Sequence, residues 1–129
     1  MDNAKLARWW LQLVGVILVV VGVLGFVSNP LVGPTGLVAT DNVHNVVHIL
    51  TGLLALGLVY WMRTDIGTSA LLFGALYAAI FVVTLASPTL FGLFQVPVNT
   101  VDHVIHIGVA AVSLALGYMA RGRSMLAVR

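Results

Sequence analysis

Two long stretches of this chain carry no charge at all, one from Trp9 to Thr40 and one from Ile66 to Val101. Each exceeds the roughly 20 apolar residues that take a helix across a bilayer. Hydrocarbon offers the backbone no water, so a spanning segment must satisfy its own N–H and C=O groups, as a helix does. With 60% hydrophobic and 8% charged residues and a mean hydropathy of +1.09, the 129-residue chain has too little polar surface for a water-soluble domain. Four spans fit, over about residues 9–27, 43–62, 66–86 and 101–120. They take up most of the length, so residues 1–129 read as a single membrane domain.

The basic residues orient it. Lys5, Arg8, Arg63, Arg121, Arg123 and Arg129 sit at the N-terminus, between spans two and three, or at the C-terminus. The loops over 28–42 and 87–100 hold no Lys or Arg. By the positive-inside rule both termini face the cytoplasm and those loops face outward, in a multi-pass membrane protein. Trp9, Trp10, Tyr60, Trp61 and Tyr118 gather near the basic ends, as an interfacial aromatic belt would. The +2 net charge therefore reports topology, and no basic stripe suggests nucleic acid as a partner. Lys5 and Arg8 before an apolar run raise the reading of a signal peptide. The run is long and the segment around Phe26–Pro30 lacks a small-x-small pattern, so a retained first span is expected.

Residues 5–62 align without a gap on residues 63–120, a constant offset of 58. Pro30 falls on Pro88, His48 on His106, Tyr60 on Tyr118 and Arg63 on Arg121. Two spans per unit return the chain to its starting side, so the units are parallel repeats about an axis along the membrane normal. The fold predicted is all-α, a four-transmembrane-helix bundle of two tandem helical hairpins, repeat 1 over 5–62 and repeat 2 over 63–120. Spans two and four should face each other across the axis, and the short connection near residue 64 should make spans two and three antiparallel neighbours. The longer loops, with Pro30, Gly33, Pro34, Gly36, Pro88 and Pro97, should be non-helical and lie at the surface or dip into the headgroups.

The candidate site lies at the start of spans two and four. Asp41 or Asn42, and Asn99 or Thr100, can cap these helices. At 1.5 Å per residue His48 and His106 sit about 10 Å below their caps, within or at the margin of the apolar layer. His44 and His48 are spaced i, i+4 and share one face, as do Asp102 and His106. His103 and Asn45 are secondary candidates. Below the histidines the same stripes hold Gly52, Ala55 and Val59, and Ala110, Ser113 and Gly117. Small residues there allow close helix approach or leave room for a flat cofactor.

Three readings stay open. In one, the His and Asp side chains are interhelical hydrogen-bond partners in an accessory subunit of a larger membrane complex or a homo-oligomer. In the second, His44, His48, Asp102 and His106 hold a divalent metal such as zinc. In the third, His48 and His106 are axial ligands of a b-type haem in an electron-transfer subunit, with Gly52 and Ala110 bedding the macrocycle. The loops' lack of Lys or Arg to meet propionates counts against haem. Having no cofactor at all fits only the first. Ionisable groups inside a membrane are functional candidates by default.

Enzymatic readings fare badly. There is no G-x-S-x-G elbow, no phosphate loop, no glutamate and no cysteine. Spans one and three carry no charged residue, which argues against a standalone pump or channel. No catalytic residue is assigned.

The segments Asp41-Asn-Val-His-Asn-Val-Val-His-Ile-Leu-Thr-Gly52 and Phe94-Gln-Val-Pro-Val-Asn-Thr-Val-Asp-His-Val-Ile-His106 resemble a family of small bacterial four-span membrane proteins classed as a domain of unknown function. The resemblance implies the same fold and the same residues, with a His-rich start to span two and an Asn-x-x-Asp-x-x-x-His start to span four. It implies no mechanism.

Overall fold

The computed structural model describes residues 1–62 and 65–127, with side chains described as far as Arg121. Arg63 and Arg129, and the side chain of Arg123, fall outside the described residues. The chain folds as an all-α bundle of four helices: α1 (Asn3–Leu24), α2 (Asn42–Tyr60), α3 (Ile66–Ala86) and α4 (Thr100–Ala127). All four are long and apolar enough to cross a membrane, which makes this a multi-pass membrane protein in contact with lipid. The starts of α1 and α3 and the ends of α2 and α4 share one end, the terminal end. The two long connections share the other, the far end.

Each helix begins where a short polar side chain can take an otherwise orphaned amide. Asp2 accepts from the N–H of Lys5, Asp41 from that of His44, and Asp65 from that of Thr68. The Asp65 carboxyl, accepting from both the hydroxyl and the amide of Thr68, is held below its ordinary pKa. Asn99 takes the amide of Asp102 at 3.0 Å. The loop after α1 is organised by Asn29, whose carbonyl accepts from the amides of Leu31 and Val32 and whose NH2 donates to the carbonyl of Leu24. Two residues of parallel ladder, β1 (Val32–Gly33) against β2 (Val38–Ala39), complete this loop.

α1 packs along α2, and α3 packs along α4; α1 also touches α4, while α2 and α3 touch only sparingly. Glycine sets both main crossings. A Cβ on Gly52 would stand 2.7 Å from the carbonyl oxygen of Gly15, and one on Gly117 would stand 2.8 Å from that of Gly67. Without side chains at these points the backbones approach closely, which is how membrane helices gain dispersion contact. Leu11, Ala55, Phe73, Tyr77 and Ala110 fill the core, while Val16, Val20, Leu50, Leu72, Val82 and Val104 point outward, as a lipid-facing surface requires. α2 and α4 meet through their histidine side chains rather than by close backbone approach.

Polar side chains join the helices near the terminal end. Arg8 donates to the Val59 carbonyl at 3.2 Å, and Gln12 donates to the Tyr60 hydroxyl at 2.6 Å. Trp10 departs from the expected aromatic belt. Its indole N–H turns inward to the hydroxyl of Ser113 on α4 at 2.8 Å, because a buried indole donor needs a partner. Trp9, Tyr60, Trp61 and Tyr118 are exposed, as a belt would be.

Gly52→Ala is expected to lower stability by about 1–3 kcal/mol through overpacking against α1. Gly108→Ala, where a Cβ meets nothing within 4 Å, should cost nothing and can add up to about 1 kcal/mol of helix propensity. Unfolding by SDS titration in mixed micelles measures both.

Candidate functional site

Three imidazoles converge near the far end. His44 and His48 lie one turn apart on α2, and His106 reaches them from α4. One ring nitrogen from each of the three falls within 4.8 Å of the others. The ring centroids of His44 and His48 are 4.3 Å apart, and those of His44 and His106 are 6.0 Å apart. All three residues are buried, with exposures of 3%, 5% and 3% for His44, His48 and His106.

Their hydrogen bonding differs in an informative way. His44 Nδ1 lies 3.0 Å from the carbonyl oxygen of Pro97. A carbonyl can only accept, so Nδ1 carries the hydrogen, and in the neutral ring Nε2 keeps its lone pair. An outer hydrogen bond of this kind is what orients a metal-binding imidazole. His48 and His106 each keep a buried Nδ1 with no hydrogen-bond partner among the described residues. A buried polar atom left unsatisfied costs about 1–3 kcal/mol, so both call for an explanation.

The other candidates from the sequence go elsewhere. Asp102 does not join the three rings. Its Oδ2 accepts from the amide of Asn99 at 2.7 Å and from that of Ala39 at 3.1 Å. With Asn99 accepting from the amide of Asp102, the pair forms a reciprocal capping box, and the Ala39 contact adds a tie to the first hairpin's loop. Asn99 also donates to the Leu37 carbonyl at 2.9 Å. His103 sets its ring edge-on to Phe81 at 5.9 Å, with its Nδ1 buried and unpartnered. Asn45 packs against Gly25 at the end of α1. Gly52 is pressed against Gly15 and Val19 of α1, so helix backbone fills the space a macrocycle would need on that face. Ala110 is buried in the core.

Two residues of α3 that the sequence reading passed over also belong to this region. Tyr77 stands 6.0 Å from the His106 ring, edge-on, and its hydroxyl shares a 3.0 Å hydrogen bond with Thr51. Thr84 donates back to the Ile80 carbonyl at 2.8 Å. A tyrosine in mid-span is the signal that could have found it, since its hydroxyl must meet a partner inside the bundle. Tyr77, Ile80, Val83 and Thr84 line a chamber of about 290 Å³ between α2 and α3, and His44, His48 and His106 form its other side.

If the capping box is a unit, Asn99→Ala and Asp102→Ala should each cost about 1–2 kcal/mol, and the double variant should cost clearly less than their sum. A double-mutant cycle in mixed micelles reads this directly.

No curated protein and no solved structure matches the chain. A family model described as Domain of unknown function (DUF4383) matches residues 8–119, which take in most or all of each of the four spans and every residue of the histidine group. The chain belongs to that family.

Proposed function

We propose that this protein is a non-enzymatic membrane module that binds one divalent first-row metal ion, zinc being the best match, through His44, His48 and His106. The observation that carries the reading is the convergence of three buried ring nitrogens within 4.8 Å. A tetrahedral ion with nitrogen ligands at 2.0–2.1 Å sets those nitrogens about 3.3 Å apart, so modest side-chain adjustment closes the set. Three histidines with a fourth position left over match the donor chemistry of an open zinc site. The oriented His44 and the unpartnered nitrogens of His48 and His106 support it further. Asp102, a candidate ligand on spacing alone, serves here as the clasp that positions His106, and His103 and Asn45 lie outside the ligand set.

The haem alternative is disfavoured by the filled face at Gly52. The accessory-subunit alternative, with histidines as helix glue, is disfavoured by the His48 and His106 nitrogens, which have no hydrogen-bond partner among the described residues. We further infer an inner-membrane orientation with cytoplasmic termini, since Lys5, Arg8 and Arg121 share the terminal end. Descent of the two hairpins, 5–62 and 63–120, from one duplicated unit is supported by the offset of 58 and by the pairing of α1 with α2 and α3 with α4.

Protein purified in nanodiscs should carry close to one metal ion per chain by elemental analysis, with no Soret band. His48→Ala with His106→Ala should cut the metal at least tenfold, while Asp102→Asn and His103→Gln keep it. Metal-free wild type, a Soret band, or equal loss in Asp102→Asn and the histidine double variant would overturn the assignment. Chelation should also lower thermal stability, since an ion at 100 times its Kd contributes about 2.7 kcal/mol. Orientation is open to thiol labelling, because the chain has no cysteine. Ser28→Cys should react with an impermeant reagent in intact cells, and Ser124→Cys only after lysis.

A further inference from the structure

We propose that the chamber between α2 and α3 binds a single-chain amphiphile with a carboxylate head, the head taking the fourth position on the metal and the aliphatic chain filling the chamber. This rests on the metal reading above and adds to it the class of ligand.

Charge supplies the first argument. Three neutral imidazoles around a divalent ion leave two positive charges inside an apolar layer, where unpaired charge is costly. The chain's own carboxylates nearby are engaged elsewhere. Asp102 holds the amides of Asn99 and Ala39, Asp41 caps α2 at the amide of His44, and neither joins the converging nitrogens. Their charge acts from outside the ligand set, so the fourth position on the ion is left for the anionic head of a ligand.

The walls supply the second. Apart from the histidines, the lining is mostly aliphatic, with Val47, Ile80, Val83, Leu90 and Val96. Its two hydroxyls are already engaged, Tyr77 with Thr51 and Thr84 with the Ile80 carbonyl. Away from the imidazoles the aliphatic wall offers water few partners and accepts apolar occupants. A small hydrophilic anion would find nothing to bond beyond the metal, whereas an alkyl chain would find a matching surface. The volume of about 290 Å³ suits a chain of medium length rather than a whole phospholipid.

The roof and the mouth supply the third. Leu90 lines the chamber from the loop after α3 with φ at 47°, and Phe91 follows at 59°. Bulky side chains rarely adopt this left-handed region, and such outliers gather at ligand clamps. Phe91 and Leu93 are 79% and 76% exposed, an apolar rim suited to the bilayer interface. Ala79, on the chamber's α3 wall, lies at the lipid-facing surface. A membrane-dissolved amphiphile therefore has an entry that an aqueous solute lacks.

The test uses the full chain loaded with cobalt(II) in zwitterionic nanodiscs, read by the visible ligand-field spectrum. Decanoate should shift the bands saturably at a concentration at least 100-fold below that needed with acetate, and decanol should leave them unmoved. Val83→Trp and Ala79→Phe, which narrow the chamber, should each raise the decanoate half-point tenfold or more. Both should leave cobalt stoichiometry and the acetate response as in wild type. Cobalt bound normally, with decanoate no better than acetate or unaffected by both variants, overturns the amphiphile proposal and leaves the metal reading standing. Failure of the wild type to bind cobalt removes the metal reading, and this proposal with it.

Discussion

The carboxylate of Asp102 ties the start of α4 to the loop of the first hairpin, and the geometry of the far end follows from that tie. Its Oδ2 takes the amides of Asn99 and Ala39, closing the first turn of one helix and the end of one loop with a single atom. His106 lies one turn below on the same face. The loop that leads into this cap also delivers the Pro97 carbonyl to His44. The placing of His106 and the orientation of His44 thus depend on backbone groups that this polar clasp ties together. Charge-assisted bonds to backbone amides are among the stronger ones available, more so where water is scarce.

Beneath this clasp the bundle is held by contact rather than by any hydrophobic drive between helices, since lipid is as apolar as the core. Gly15 against Gly52 and Gly67 against Gly117 bring each helix onto its partner within a hairpin. α2 and α3 have no such pair and part around a chamber toward the far end. The least tightly packed seam is therefore the one next to the histidines. Close packing elsewhere leaves the free space beside the three imidazoles.

Much of the fold was legible in the sequence because the bilayer allows so few solutions. Apolar segments of spanning length predicted four helices, and α3 begins just after Asp65 and ends just before Ser87–Pro88. α1 and α4 extend past their apolar segments, to Asn3 and Ala127, because an Asp2 cap and a polar tail continue the helix into the aqueous margin. The i, i+4 spacing put His44 and His48 on one face, and their rings lie against each other. Asp102 is i, i+4 to His106 but also i, i+3 to Asn99, with which it bonds. Backbone amides at a helix start are nearer and already fixed, so the local bond wins over the distant one. The Pro97 carbonyl and the Leu90 conformation lie in a loop without periodicity, where side-chain pattern carries no register.

The central claim is that three imidazoles share one metal ion. X-ray absorption at the zinc edge of the reconstituted protein tests it most directly. The account predicts a four-coordinate ion with three nitrogen scatterers at about 2.0–2.1 Å, imidazole outer-shell features, and one further light ligand. A shell of oxygen alone, or one that survives replacement of His48 and His106, would contradict it.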